Sequence, residues 1–216
     1  CPIVKRTIVC TDSAAIIYEC EKYGIEVCNT RNNHLNGTDR IAEAAKLLNL
    51  PNNEIVVDVQ GDEPFVSINY ISEVANKVSH SQYGCIVPYQ EFEESNNPNR
   101  VKIVSSSDRI IYFSRSDVPN YFGQVSYPMK KHLSIIGFRS DVLKKYYSLF
   151  PTELEKIERI ELFRLIENNI DIGTFKMDGQ SMSVDTEEDY QKAWRMIETD
   201  DYFLKLYNKG LFNEKS

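Results

Sequence analysis

Two periodicities alternate through the first eighty residues, and that alternation constrains the fold more than any other feature. Residues 6–11 (RTIVCT) form a β-rich apolar run, Asp12 and Ser13 are cap-type residues, and 14–23 follow a helical pattern. The unit recurs: 25–29 predicts a strand, 39–48 a helix, 54–60 a strand and 68–78 a helix. Such alternation predicts an α/β fold with a mixed, mainly parallel sheet flanked by helices.

The middle of the chain changes character. Residues 85–89, 100–105, 110–114 and 131–138 are four strand-like runs between loops, which predict a smaller, partly antiparallel inserted section. Helical periodicity returns over 141–147 and 154–166, a strand fits 172–177, and a helix fits 187–197. The tail, 200–216, mixes Tyr, Phe and Leu with charges and predicts a packed amphipathic helix with a frayed end. Neither repeat nor linker interrupts the pattern, so 1–216 reads as a single domain.

Composition narrows the function classes. With 42% hydrophobic and 26% charged residues the chain is an ordinary folded protein, neither disordered nor fibrous. Its 25 basic and 32 acidic residues give a net charge of −7, and Met129-Lys130-Lys131-His132 is its longest basic cluster, which disfavours nucleic acid as a partner. Five cysteines, odd in number and without a C-x-x-C pair, argue against a disulfide framework or a zinc knuckle and fit a reducing cytoplasm. No apolar run approaches the ~18 residues of a membrane span, and no basic region followed by an apolar stretch opens the chain. Membrane insertion and secretion are not expected.

Three segments carry candidate chemistry. In 56–64 (VVDVQGDEP) a strand ends in Gln60-Gly61-Asp62. Ligands of open α/β sheets sit beyond the carboxyl ends of strands, glycine permits close backbone approach to a phosphate, and a carboxylate suits Mg²⁺. A plain turn before a helix near Ser67 fits the same residues. In 183–189 (SVDTEED), Asp185 or Thr186 reads as an N-cap, or Asp185 as a second metal ligand. The polar loop 33–40 (NHLNGTDR) leads into a helix and offers either an anion-binding N-terminus or a Thr38 or Asp39 cap. Arg115 follows an apolar strand, where it can fork onto a carboxylate or pair on the surface, and His132 is equally ambiguous. Glu161 and Arg164, three residues apart on a helix, suffice for a surface ion pair. With three histidines in all, a histidine-rich metal site is not expected.

Taken in register, 34–40 (HLNGTDR), 59–64 (VQGDEP), 97–102 (NPNRVK), 112–115 (YFSR), 131–133 (KHL), 154–158 (LEKIE) and 184–186 (VDT) resemble the bacterial 3-deoxy-manno-octulosonate cytidylyltransferase family, also called CMP-Kdo synthetase. The resemblance spans nearly the whole chain. It implies an α/β domain of the nucleotide-diphospho-sugar transferase type, with a smaller section for sugar contacts and a homodimer interface. It also implies CMP transfer from CTP to the anomeric hydroxyl of an eight-carbon sugar acid, with Mg²⁺ and release of pyrophosphate, for lipopolysaccharide or capsule synthesis. By motif match Asp62 and Asp185 become metal ligands, and Gln60, Arg115, His132 and Glu161 sugar-acid contacts. Arg115 is the expected carboxylate partner, and His34, Gly37, Thr38 and Arg40 belong to the cytosine and ribose site.

Three departures stand beside the resemblance. The family opens with a strand and a basic loop bearing Arg, Ser and Lys around the triphosphate, and nothing of that kind precedes Cys1, so an N-terminal segment is expected to be missing. Where Kdo-specific members commonly carry Tyr and Gln, this chain has Ile136 and Leu162. A pocket without those polar groups is expected to discriminate differently among sugar hydroxyls, and 8-amino-8-deoxy-Kdo is a modified substrate it could prefer. The alternative to the enzyme is a non-catalytic sugar-nucleotide-binding or assembly subunit without the triphosphate loop.

Overall fold

The computed structural model describes residues 1–93, 96–120, 127–178, 183–184, 186–199 and 204. Strands β1 (Ile8–Thr11) and β2 (Glu26–Asn29), joined by α1 (Ala14–Lys22), pair in parallel as their βαβ pattern requires. Helix α2 (Gly37–Leu47) is capped at Asn36, two or three residues earlier than the expected Thr38 or Asp39 cap: Asn36 accepts from Asp39 N at 2.7 Å. Then come β3 (Ile55–Val59), α3 (Ile68–His80), capped by Ser67, and the long β4 (Cys85–Phe92).

The remaining strands are β5 (Lys102–Ser106), β6 (Arg109–Ser114), β7 (Met129–His132), β8 (Ile135–Arg139) and β9 (Gly173–Lys176). Together with β3 and β4 they make a seven-stranded sheet in the order β3-β8-β4-β7-β5-β6-β9, with β4 also pairing β9. Every ladder in it is antiparallel except β4–β9, which corrects the expected mainly parallel sheet. The cause is β8: the chain runs on from β7 through Leu133 and Ser134 in the same direction, and β8 lies between β3 and β4, antiparallel to both. Its near-continuous buried run is what a strand covered on both faces requires. The antiparallel section is also not a separate small sheet, because β4 pairs β8 through Cys85 and Ile86 and β7 through 89–92.

Two further expectations break at points that composition does not advertise. The single strand expected over 131–138 is β7 and β8, and the helix expected over 154–166 is α5 (Glu153–Glu158) and α6 (Phe163–Glu167). Arg159 ends α5 in the left-handed region (φ 54°, ψ 47°), where glycine or asparagine is the usual signal. Helices α4 (Ser140–Ser148) and α7 (Glu187–Thr199) complete the described elements. Apart from Leu204, the expected tail helix lies outside the described residues.

The main core lies on the face covered by α2, α4 and α6, where Val87, Ile103, Phe113, Phe138, Leu143, Tyr146, Phe163 and Leu165 pack together. On the other face α3 packs Val74 against Leu133, Ile135 and Met177. A Cβ on Gly137 would stand 2.5 Å from Val78 and 2.6 Å from Val74, so glycine lets α3 lie directly on β8. Among the described residues no helix is long and apolar enough to cross a membrane.

Candidate active site

Alternation along β3 turns Val56 to the main core and Val57 to the α3 side. Asp58, on the Val56 face, is 4% exposed, and Gln60 Nε2 donates to its Oδ2 at 3.1 Å. Gly37, at the start of α2, approaches the same amide, since a Cβ there would meet Gln60 Nε2 and Oε1 at 3.1 Å each. The next residue, buried Thr38, donates from Oγ1 to Glu161 Oε1 at 3.0 Å. Gln60, Gly37, Thr38 and Glu161, dispersed in sequence, thus form one cluster with Asp58. Burial first, and the Glu161 charge second, push the Asp58 carboxyl up to about 7, against the opposing hydrogen bond from Gln60.

Glu161 is aimed into this cluster by the break between α5 and α6 and by what lies beneath it. The expected surface pair of Glu161 with Arg164 is corrected: Arg164 is 2% exposed and bonds elsewhere. Its Nε donates to Glu155 Oε2 at 2.9 Å, Nη2 to Glu155 Oε1, and Nη1 to Asp39 Oδ1 at 2.6 Å, with the guanidinium 4.3 Å from the centre of the Tyr146 ring. Burial alone would lower the guanidinium's pKa; the bonds from Glu155 and Asp39 outweigh it and hold the group charged. The buried bridge fastens the first turn of α2 to α5 and α6, so Thr38 and Glu161 meet in a fixed geometry.

Other expected site residues are already engaged. His34 Nε2 donates to Glu43 Oε2 at 2.7 Å, and Arg31 bonds the same carboxylate through N at 2.8 Å and Nε at 2.6 Å. Arg40 pairs with Asp12 at 2.6 Å and donates to Thr30 Oγ1 at 2.7 Å, tying α2 to the β1–β2 unit. Arg115 donates from Nε to Glu158 O (2.8 Å), from Nη1 to Pro98 O (3.0 Å) and from Nη2 to Arg159 O (3.2 Å), which uses three of its five N–H groups. Its own carbonyl accepts from Lys102 Nζ at 2.8 Å, and fully buried Lys102 also bonds Asn97 O at 2.7 Å and Asp117 at 3.2 Å. His132 stacks edge-on against Phe113, and burial, with Lys131 second, pushes its imidazole down to about 4, so it is neutral at pH 7. Ile136 and Leu162, 3% and 1% exposed, belong to the main core; Ile136 is the cross-strand neighbour of Asp58.

Asp62 is exposed at the turn after β3. Ser183 Oγ donates to its Oδ2 at 3.2 Å and Val184 N to its backbone O at 2.8 Å, which brings the 183–184 segment alongside. Asp185 lies outside the described residues. Thr186 and Asp189 form the reciprocal cap expected before α7: Asp189 N donates to Thr186 Oγ1 at 3.2 Å and Thr186 N to Asp189 Oδ2 at 3.0 Å. Among the described residues no three His, Cys, Asp or Glu side chains converge on a metal position. A groove of about 660 Å³ between α3 and β9, lined by Lys77, His80 and Asp108 among others, contains none of the clustered residues.

A family profile described as cytidylyltransferase matches residues 1–172. The chain belongs to the cytidylyltransferase family. It is 39% identical over 201 residues to a 3-deoxy-manno-octulosonate cytidylyltransferase of Rickettsia canadensis (strain McKiel), covering 90% of this chain and 80% of the relative. The corresponding protein of Rickettsia massiliae (strain Mtu5) is 38% identical over the same length, covering 90% and 79%. Among solved structures, a CMP:2-keto-3-deoxy-manno-octonic acid synthetase complexed with CTP superposes with a TM-score of 0.82 at 26% identity, over 91% of this chain and 82% of that one. Sequence reading missed Asp58 and the buried role of Arg164. The only available signals were an acid within the apolar run VVDV and an Arg within the apolar helix pattern LFRLI.

Proposed function

We propose that this cytidylyltransferase moves CMP from CTP to the anomeric hydroxyl of 3-deoxy-manno-octulosonate or a closely related sugar acid and releases pyrophosphate. The observation that carries the reading is the single cluster made by the α2 N-terminus, the end of β3 and Glu161, on a chain whose relatives and structural neighbour bear that name. In the reaction the anomeric oxygen forms a bond to the α-phosphorus, the bond to the pyrophosphate oxygen breaks in line, and the hydroxyl proton passes to solvent. No covalent bond to the protein is required.

Mg²⁺ suits the exposed carboxylate of Asp62, which has one oxygen on Ser183 and the other outside any hydrogen bond among the described residues. Asp62, with Asp185 from the neighbouring segment, would hold it. Bound there it would neutralise phosphate charge and align the reactants. The protein's own residues do the rest: Gly37 and Thr38 present the α2 N-terminus, Gln60 and Glu161 orient the sugar, and neutral His132 offers imidazole hydrogen bonding without a charge. The two N–H groups of Arg115 not spent on backbone carbonyls suit the sugar carboxylate. By the same family resemblance the working form is a cytoplasmic homodimer.

One observation favours a second sugar. Among the described residues neither Asp58 nor Glu161 has a Lys, Arg or His at ion-pair distance, so an ammonium-bearing analogue such as 8-amino-8-deoxy-Kdo would meet two uncompensated acids. The test is pyrophosphate release with CTP and Mg²⁺, offering each sugar in parallel. Release with either establishes the transferase and the faster one names the substrate; release with neither points to a non-catalytic binding subunit.

A further inference from the structure

The Asp58 carboxylate differs from other buried acids of this protein. Glu43 is held by Arg31 and His34, and Glu155 by Arg164, whereas among the described residues Asp58 has the Gln60 amide as its one hydrogen-bond partner, with apolar Ile136 opposite it on β8. An ionised carboxylate can only accept, so the Gln60 amide must turn its Nε2 toward Asp58. The bare Cα of Gly37 closes the other side, leaving the amide wedged between β3 and α2 with Oε1 directed away from Asp58. Glu161, with Oε1 on Thr38, has its second oxygen outside any hydrogen bond among the described residues.

We infer that Asp58 is a positioning and specificity-determining residue: by holding Nε2 of Gln60 it makes the site present acceptors, Gln60 Oε1 and a Glu161 oxygen, that match a pair of donor groups on the substrate. The ligand chemistry selected is a polyol segment with two hydroxyl donors, or one hydroxyl and one ammonium. A substrate whose matching oxygens are acceptors only, as in an O-alkylated sugar acid, is refused. The inference rests on the reading of Gln60 and Glu161 as sugar contacts, but the grip of Asp58 on Gln60 is a property of the ligand-free protein. The titratable groups facing Asp58 are Glu161, from the α5–α6 turn, and Cys10, from β1; burial pushes the Cys10 thiol up to about 12, so it stays protonated around neutrality. Protonation of Asp58 turns its oxygen into a donor and allows the Gln60 amide to invert.

The experiment has two readouts on the full chain. In the ligand-free protein, the Gln60 side-chain ¹H–¹⁵N resonance, assigned with Gln60→Ala, should titrate near neutral pH and lose that titration in Asp58→Asn. In kinetics, Asp58→Asn should raise KM for the sugar acid about tenfold, the loss of roughly one hydrogen bond, and leave KM for CTP within about twofold. Because the substitution removes an unpaired buried charge, Tm should hold or rise, which an Asp of merely structural value would not do. In a Gln60→Ala background Asp58→Asn should cost nothing further, as a residue acting through Gln60 requires. A silent Gln60 resonance, an unchanged sugar KM, an equal rise in both KM values, or additive effects in the double variant would each overturn the inference. If neither sugar is turned over by the unmodified protein, the functional reading fails on its own and the titration alone decides on Asp58.

Discussion

Arg164→Met cuts the bridge that holds the candidate site together while keeping comparable side-chain bulk. The substitution strands the carboxylates of Glu155, 7% exposed, and Asp39, and removes the cation over the Tyr146 ring. Removing one partner from a buried ion pair costs about 3–5 kcal/mol, mostly the penalty of an uncompensated buried charge. For a chain of this size 1 kcal/mol moves Tm by about 2–4 °C, so the expected fall is about 6–20 °C. Urea unfolding at pH 7 with unchanged m gives the free energy directly, and calorimetry gives Tm. The triple variant Arg164→Met, Glu155→Gln, Asp39→Asn, which neutralises the stranded acids, should recover more than half of the loss. A single-variant loss below about 1 kcal/mol, or a triple variant no more stable than the single, would refute the assignment of Arg164 as the buried cation joining α2 to α5 and α6.

Three other outcomes are expected. Asp62→Ala should abolish Mg²⁺-dependent pyrophosphate release and leave Tm within a few degrees, since Asp62 is exposed; retained turnover removes it from the metal site. Gly37→Ala should separate stability from activity, because φ at Gly37 is not positive and alanine favours the helix by a few tenths to about 1 kcal/mol, while its Cβ 3.1 Å from the Gln60 amide should displace that side chain and lower kcat/KM for the sugar several-fold. His132 has its folded pKa lowered from 6.5 to about 4, so its contribution is complete above about pH 6.5 and is lost as pH falls toward 4. The loss amounts to about 3 kcal/mol, and a His132→Gln variant should show a correspondingly flatter stability profile across that window in urea titrations.

The order of strands and helices was legible in the sequence because it depends on local periodicity, and β1 to α3 appear where the alternation predicts them. Pairing partners were not legible. Whether β3 lies beside a parallel or an antiparallel neighbour depends on β8, which comes much later in the chain, and no window around β3 records it. The two boundary errors share a cause: neither the interruption at Leu133 and Ser134 nor the left-handed Arg159 is marked by glycine or proline. Gln60, Gly37, Thr38 and Glu161 could be named as candidates from sequence, but not that His34 is bound to Glu43 or Arg40 to Asp12, because those partners are set by packing around α2. Asp58 stayed hidden for the same reason: in VVDV it is a polar residue at a strand position, and only the cover from α2 and the turn bearing Glu161 buries it.

The position of α2 has a consequence for how the molecule breathes. β1 and β2 form a two-stranded sheet hydrogen-bonded to no other strand among the described residues, whereas β4 is paired on both edges. Amide exchange should therefore be fast in β1 and β2 and slowest in β4, with the N-terminal unit opening first. The fasteners of that unit, Arg40 to Asp12 and Thr30, and Arg31 to Glu43, all end on α2, whose first turn is the proposed substrate contact. A ligand seated at Gly37 and Thr38 would stiffen the helix to which the unit is fastened, and protection against exchange would rise in strands that never touch it.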